Sequence, residues 1–304
     1  MNPKPEKNVI PDLVLFCKSY HKDMLRARRM ADSVQRFNVD RIPLYMCVPD
    51  KDLAAFKRCF EGISCTFVTD ETVLSASCRV HGALPDDYPR HLLQQLVKLE
   101  FWRLNTCRNY LWIDADSYFI REFRLSDFLD QAGVPYTIQH ESEELFSFAA
   151  TYDDSIIEDF QRMAIKFKRL FNRTGPLYNF GYSPLIWSCK VLKHLYEDFL
   201  VPRNQTIFTL LLKYPCEMQL YGEYLYYSKT IPIVTKKPLF KVYHYDEQFF
   251  REQEYGQNEY SLSKDYLGIV MQSNWASPNK RKAGFRIKLF IRKYRKRFKG
   301  FFDK

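Results

Sequence analysis

The stretch YLWIDADSYFI, residues 110–120, sets two aspartates one residue apart inside an apolar run. A buried carboxylate without a cation or hydrogen-bond donors is costly, and correspondingly rare. Two readings of Asp114 and Asp116 are open at this point. In one, the strand ends at Ile113 and the pair caps a turn or faces water. In the other, the pair holds something positive. If the segment stays extended, residues i and i+2 point to the same side, so both carboxylates converge on one ligand while Ala115 points away. Two hard oxygen donors suit Mg²⁺ or Mn²⁺, ions that keep waters and bridge substrate phosphates.

Working outward, YPRHLLQQLVKLEFWRLNTC (88–107) carries Leu92, Leu96, Leu99, Phe101 and Leu104 at helical spacing and leads straight into the aspartate strand. Before it, DLVLFCKSY (12–20), IPLYMCVP (42–49) and SCTFVTD (64–70) read as strands. HKDMLRARRMADSVQRF (21–37) reads as a helix with Met24, Leu25, Ala31 and Val34 inward, and DKDLAAFKRCF (50–60) as one with Asp50 as its N-cap. Alternation of this kind predicts βαβ units and an α/β fold with a mostly parallel sheet. Such sheets bind ligands at the carboxyl ends of strands, around a switch in strand order. Farther on, VPYTIQHE (134–141) reads as a strand and 152–172 as a polar amphipathic region. PLYNFGYSPLIWS (176–188) is strand-like but broken by Gly181 and Pro184, and CKVLKHLYEDFL (189–200) follows as a helix.

With 46% hydrophobic residues in 304, the chain has the material for one large core. Eight cysteines without a C-x-x-C pair fit reduced thiols in the cytosol better than a disulfide framework. No apolar signal core opens the sequence and no 18-residue apolar run interrupts it, so neither a secretion signal nor a membrane span is expected. The formal charge of +10 is localised: residues 276–304 hold twelve Lys or Arg and one acid, a net of +11, which leaves −1 for residues 1–275. A neutral body argues against nucleic acid as a partner. Two units are therefore expected, a domain over 9–275 and a basic tail over 276–304. In the tail, Ile287, Phe290, Ile291, Tyr294, Phe298, Phe301 and Phe302 fall on one helical face with Lys and Arg on the other. A basic amphipathic helix bearing aromatics is expected to lie on an anionic membrane surface.

NYLWIDADSYFIREF (109–123), preceded by QQLVKLEFWRL (94–104), resembles the D-x-D region of the GT-A glycosyltransferases, most closely bacterial enzymes that build surface polysaccharides. The resemblance implies a Rossmann-like nucleotide-sugar-binding domain in which the strand before the D-x-D is central. It implies that Asp114 and Asp116 hold Mn²⁺ or Mg²⁺ on the diphosphate of a nucleotide sugar, with Asp116 part of the catalytic machinery. Lys18, Ser19 and Tyr20, after the first strand, would seat the nucleoside base. Gln94, Gln95 and Lys98 share a helix face, from which Lys98 would reach a phosphate or a donor-sugar oxygen. A late histidine often completes the metal site in such folds; His244 in KVYHYDEQF is the candidate and His140 its rival. Glu223, placed after Gly222 at an expected helix start, is the candidate general base toward an acceptor hydroxyl. Asn179 and Gly181 would line the sugar pocket, because a glycine lets backbone approach a ligand closely.

The expected activity is metal-dependent transfer of a sugar to a lipid-linked or polysaccharide acceptor, in lipopolysaccharide, capsule or glycolipid assembly. The expected location is the cytoplasmic face of the inner membrane, the protein being peripheral. Two rivals stand beside this reading: a phosphoryl-transfer or nuclease-type enzyme with a nucleic-acid-binding tail, and a non-catalytic membrane scaffold with structural aspartates.

Overall fold

The computed structural model describes residues 10–139, 155–181, 184–244 and 246–272. His140 and the whole tail over 276–304 lie outside the described residues. The early apolar runs form β1 (Leu13–Lys18), β2 (Leu44–Val48), β3 (Thr66–Thr69) and β4 (Asn109–Trp112). They are followed by β5 (Ser117–Phe119), β6 (Tyr136–Ile138) and β7 (Leu185–Ser188). One sheet has the order β3-β2-β1-β4-β7. β1 runs parallel to β2 and to β4, with Leu15 opposite both Leu44 and Leu111, and β2 runs parallel to β3. Only β7 is antiparallel. β4 and β7 are buried along their whole length, as expected where both faces of a sheet are covered.

Helices α1 (Met24–Phe37), α2 (Asp50–Cys59), α3 (Asp70–His81) and α4 (Arg90–Glu100) link the parallel strands. Two local expectations change. The buried face of α1 is Ala27, Met30, Ala31 and Val34, at steps of 3, 1 and 3, while Leu25 is 77% exposed. α2 has Pro49 at its N-cap. Asp50 is the first helical residue, and its N–H donates to Glu71 Oε2 at 2.9 Å, so a carboxylate from α3 satisfies that helix end. Aromatic side chains weld α4 and the 3-10 turn after it to the sheet: Phe16 stacks on Phe101 at 4.0 Å, and the Tyr110 hydroxyl donates to Lys98 O at 2.7 Å.

In the second half, β8 (Val234–Lys236) pairs with β6. β9 (Phe240–Tyr243) and β10 (Gly268–Met271) join β5 in a three-stranded sheet ordered β5-β10-β9. Gly268 is required there, since a Cβ would sit 2.2 Å from the Phe240 ring and 2.5 Å from Tyr118 O. The amphipathic region forms the helix Ser155–Leu170. Among the described residues of the strand-like 176–188, Leu185–Ser188 form a strand, and the helix after it passes from α (Cys189–His194) to π (Leu195–Leu200).

Candidate functional site

From β1 the sheet grows through β2 and β3 on one side and through β4 on the other. Chain direction is shared by β1 and β4, so their carboxyl ends meet at the switch point of the sheet, where sheets of this kind bind ligands. Lys18, Ser19 and Tyr20 leave β1 on one side. The aspartates leave β4 on the other. Ile113 N–H still donates to Phe16 O at 2.8 Å, which keeps β4 zipped to β1 up to that residue. The chain then reverses: Ser117 N–H donates to Asp114 O at 3.0 Å, closing a four-residue turn with Ala115 and Asp116 at its corners.

This turn replaces the extended geometry expected of the pair. The physical reason lies in the next strand, which belongs to another sheet: Met271 N–H donates to Asp116 O at 2.9 Å and ties the turn to β10. Ala115 is buried and both aspartates are partly exposed. The D-x-D pair thus occupies the seam between two sheets.

Lys98 is buried rather than on a helix surface. Its Nζ lies 2.8 Å from Asp114 Oδ1, 3.4 Å from Glu217 Oε1 and 4.1 Å from the centre of the Trp112 ring. Burial on its own would lower the ammonium's pKa; the carboxylates of Asp114 and Glu217 outweigh it and hold the pKa above the ordinary lysine range. On the same helix Gln94 is exposed, whereas Gln95 carries a buried Oε1 without a hydrogen-bond partner. Glu217 was missed from the sequence. It is the first residue of the helix Glu217–Ser228 and is itself buried. The available signal was an acid at the head of a segment, EMQLYGEYLYY, whose other positions are mostly apolar.

On the opposite side Lys18 Nζ is 3.0 Å from Asp70 Oδ2 and donates to Ser19 O at 2.7 Å. Burial raises the Asp70 carboxyl pKa despite the adjacent Lys18. Ser19 is buried, its N–H bonded to Cys47 O at 2.9 Å, and its hydroxyl has no partner. Tyr20 is exposed and meets His21 edge-on at 5.5 Å. Between the two sides, the Cys17 thiol is pushed above its ordinary range by burial first and by the charge of Asp114 next. Lys98 and Lys18 act the other way and Asp116 adds to the rise, so all four charged groups converge on the end of β1.

Glu223 departs from expectation. It lies in the middle of the helix Glu217–Ser228 and is 0% exposed. Arg173 Nε donates to its Oε2, Arg173 Nη2 to its Oε1 at 3.0 Å, and Gln219 Nε2 also to Oε1 at 3.2 Å. Both oxygens of this carboxylate are held by buried donors, so in this structure neither is open to an acceptor hydroxyl. Gly222 serves packing: a Cβ there would stand 2.2 Å from the Phe180 ring. Asn179 Oδ1 accepts the Gly181 N–H at 2.9 Å, and a Cβ on Gly181 would lie 3.3 Å from Met218 Cε. These two residues therefore line the helix that carries Glu217.

His244 follows β9, is 7% exposed, and donates its N–H to Gln248 Oε1 at 3.2 Å. Burial, and then the charge of Lys241, pull its pKa down to about 4. β10 separates it from the aspartate turn, because Gln272 N–H reaches Tyr243 O while Met271 N–H reaches Asp116 O. Among the described residues no three His, Cys, Asp or Glu are grouped to hold a metal ion. Asp114, Asp116 and His244 are not such a group. The donor set that is present, two carboxylates on one partly exposed turn with Asp116 Oδ1 buried, fits a divalent ion that completes its shell with water and a diphosphate.

No protein-family model matches the chain, and no curated protein matches it. Among solved structures it is similar to mouse xyloside xylosyltransferase 1 in its apo form, at 10% identity and a TM-score of 0.45, over 88% of this chain and 99% of that one. It is also similar to the apo bifunctional glycosyltransferase WbbM, at 10% identity and a TM-score of 0.47, over 89% of this chain and 47% of that one.

Proposed function

We propose that the chain is a glycosyltransferase that uses a divalent cation, Mn²⁺ or Mg²⁺, to transfer a sugar from a nucleotide-sugar donor to a glycan or glycolipid acceptor. One observation carries the reading: the aspartate turn stands at the switch point of a parallel sheet, with a buried lysine on one of its carboxylates. Asp114 and Asp116 would hold the cation, which when bound supplies positive charge against a leaving diphosphate. Lys98 holds a buried ammonium on Asp114, and the buried Ser19 hydroxyl at the end of β1 has no partner; both are groups suited to phosphate or sugar oxygens. Exposed Tyr20 offers a ring face on which a nucleoside base can stack.

The tail supports a second element of the reading. Its net of +11 over 276–304 favours an anionic membrane surface, at about 1 kcal/mol per basic residue before screening. A lipid-linked acceptor at the cytoplasmic face, in the assembly of a surface glycan, accounts for such a tail. No described helix is long and apolar enough to cross a membrane.

A thermal-shift screen of nucleotide sugars and nucleoside diphosphates, each with and without Mn²⁺, tests the proposal. A rise in Tm with nucleotide and cation together, larger than with either alone, is the expected result. A chain that no combination stabilises is not this enzyme.

A further inference from the structure

Lys98 is a cation at the site where the proposed function seats another. Only 6% of its side chain is exposed, and its ammonium lies 2.8 Å from Asp114. Lys98 on its own would neutralise Asp114, one of the two carboxylates proposed for the divalent ion. Glu217 alters that balance. Its carboxylate, 8% exposed, is the second oxygen partner of Lys98, at 3.4 Å. With Glu217 counted, Lys98 has a counter-charge other than Asp114. Lys18 has its own counter-charge in Asp70, at 3.0 Å.

We propose that Glu217 is a positioning residue: it neutralises Lys98 and gives its ammonium a second seat, so that Asp114 keeps its negative charge for a divalent cation. The inference rests on the metal site of the proposed function. A cation arriving at Asp114 repels the ammonium toward Glu217, a displacement that Lys98 can make without leaving the site. Glu217 acts through Lys98 and need not touch the cation. A buried acid paired only with a lysine would otherwise be a costly way to hold a helix end.

Mn²⁺ binding to the full chain, followed by loss of the electron paramagnetic resonance signal of the free ion, tests this without reference to turnover. Glu217→Gln leaves Lys98 uncompensated beside Asp114 and should weaken binding by about tenfold or more. Lys98→Met should tighten it. The double variant restores the charge balance and should return to within about threefold of wild type. It also removes the unpaired buried acid, so it reads out even if Lys98→Met alone fails to fold. A double variant as weak as Glu217→Gln would make Glu217 a direct ligand and overturn the inference, as would unchanged binding in Glu217→Gln. Wild-type protein that binds no Mn²⁺, or binds it equally well after Asp114→Asn, would instead defeat the metal site itself, and the inference with it. Circular dichroism confirms the fold of each variant.

Discussion

Arg173 grips Glu223 with both faces of its guanidinium fork, Nε on one carboxylate oxygen and Nη2 on the other at 3.0 Å, inside a helix where Glu223 is 0% exposed. Breaking one partner of a buried pair leaves an uncompensated charge, a loss of about 3–5 kcal/mol. Glu223→Gln should therefore lower the urea midpoint strongly, while donor binding by the folded fraction stays unchanged. Replacing the pair together, Glu223→Leu with Arg173→Met, should recover much of that loss. A Glu223→Gln protein of wild-type stability and abolished turnover would return the residue to catalysis.

The aspartate turn makes the opposite prediction, a functional loss with little structural change. Both side chains are partly exposed, and Lys98 keeps Glu217 when Asp114 is altered. Asp114→Asn or Asp116→Asn should shift stability by less than about 1 kcal/mol. Each should abolish the Mn²⁺-dependent part of nucleoside diphosphate binding. Calorimetry showing unchanged affinity and unchanged Mn²⁺ dependence in both variants would remove the centre of the proposed function.

What the sequence displayed was periodicity and local chemistry. The four parallel strands, the helices α1, α2 and α4 and the D-x-D at the end of a buried strand could be read from local apolar runs; α3 (Asp70–His81) was missed. Leu25 misled because its helix has apolar residues on two faces, and only packing decides which of them is buried. The pair Lys98–Glu217 was half legible: the lysine was singled out, but its partner lies 119 positions away and no local pattern joins them. Glu223 misled in the same way, since Arg173, 50 positions earlier, determines what its carboxylate does. His244 was correctly placed beyond a strand. That β10 would come between it and the aspartates depends on strand order, to which local sequence gives no access.

His244 gives the fold a pH dependence of defined sign. Its pKa falls from 6.5 to about 4 on folding, so the native state holds the imidazole neutral. The unfolded chain takes up the proton first as pH drops. The associated stability is therefore complete above pH 6.5 and is lost progressively toward pH 4, by about 3 kcal/mol at most. Urea unfolding at half-unit intervals should show a steeper fall across that window in wild type than in His244→Phe. Equal slopes, or an imidazole titrating near 6.5 by NMR, would contradict this account.

Attachment to membranes should reside almost wholly in the tail, since the body is net −1 and residues 276–304 net +11. Deleting 280–304 should release the protein from anionic vesicles and leave donor binding unchanged, because every proposed site residue precedes the deletion. Charges are screened over about 8 Å at physiological ionic strength, so high salt should weaken the binding of the intact chain. The apolar positions should keep that loss partial, as their burial in lipid does not depend on screening. Replacing Phe290, Ile291, Tyr294 and Phe298 with serine should make the remaining attachment fully salt-sensitive. Co-sedimentation of the intact, truncated and serine-substituted proteins across a salt series separates the two contributions. A truncated body that still sediments with anionic vesicles would place the attachment on the folded domain and leave the tail with another partner.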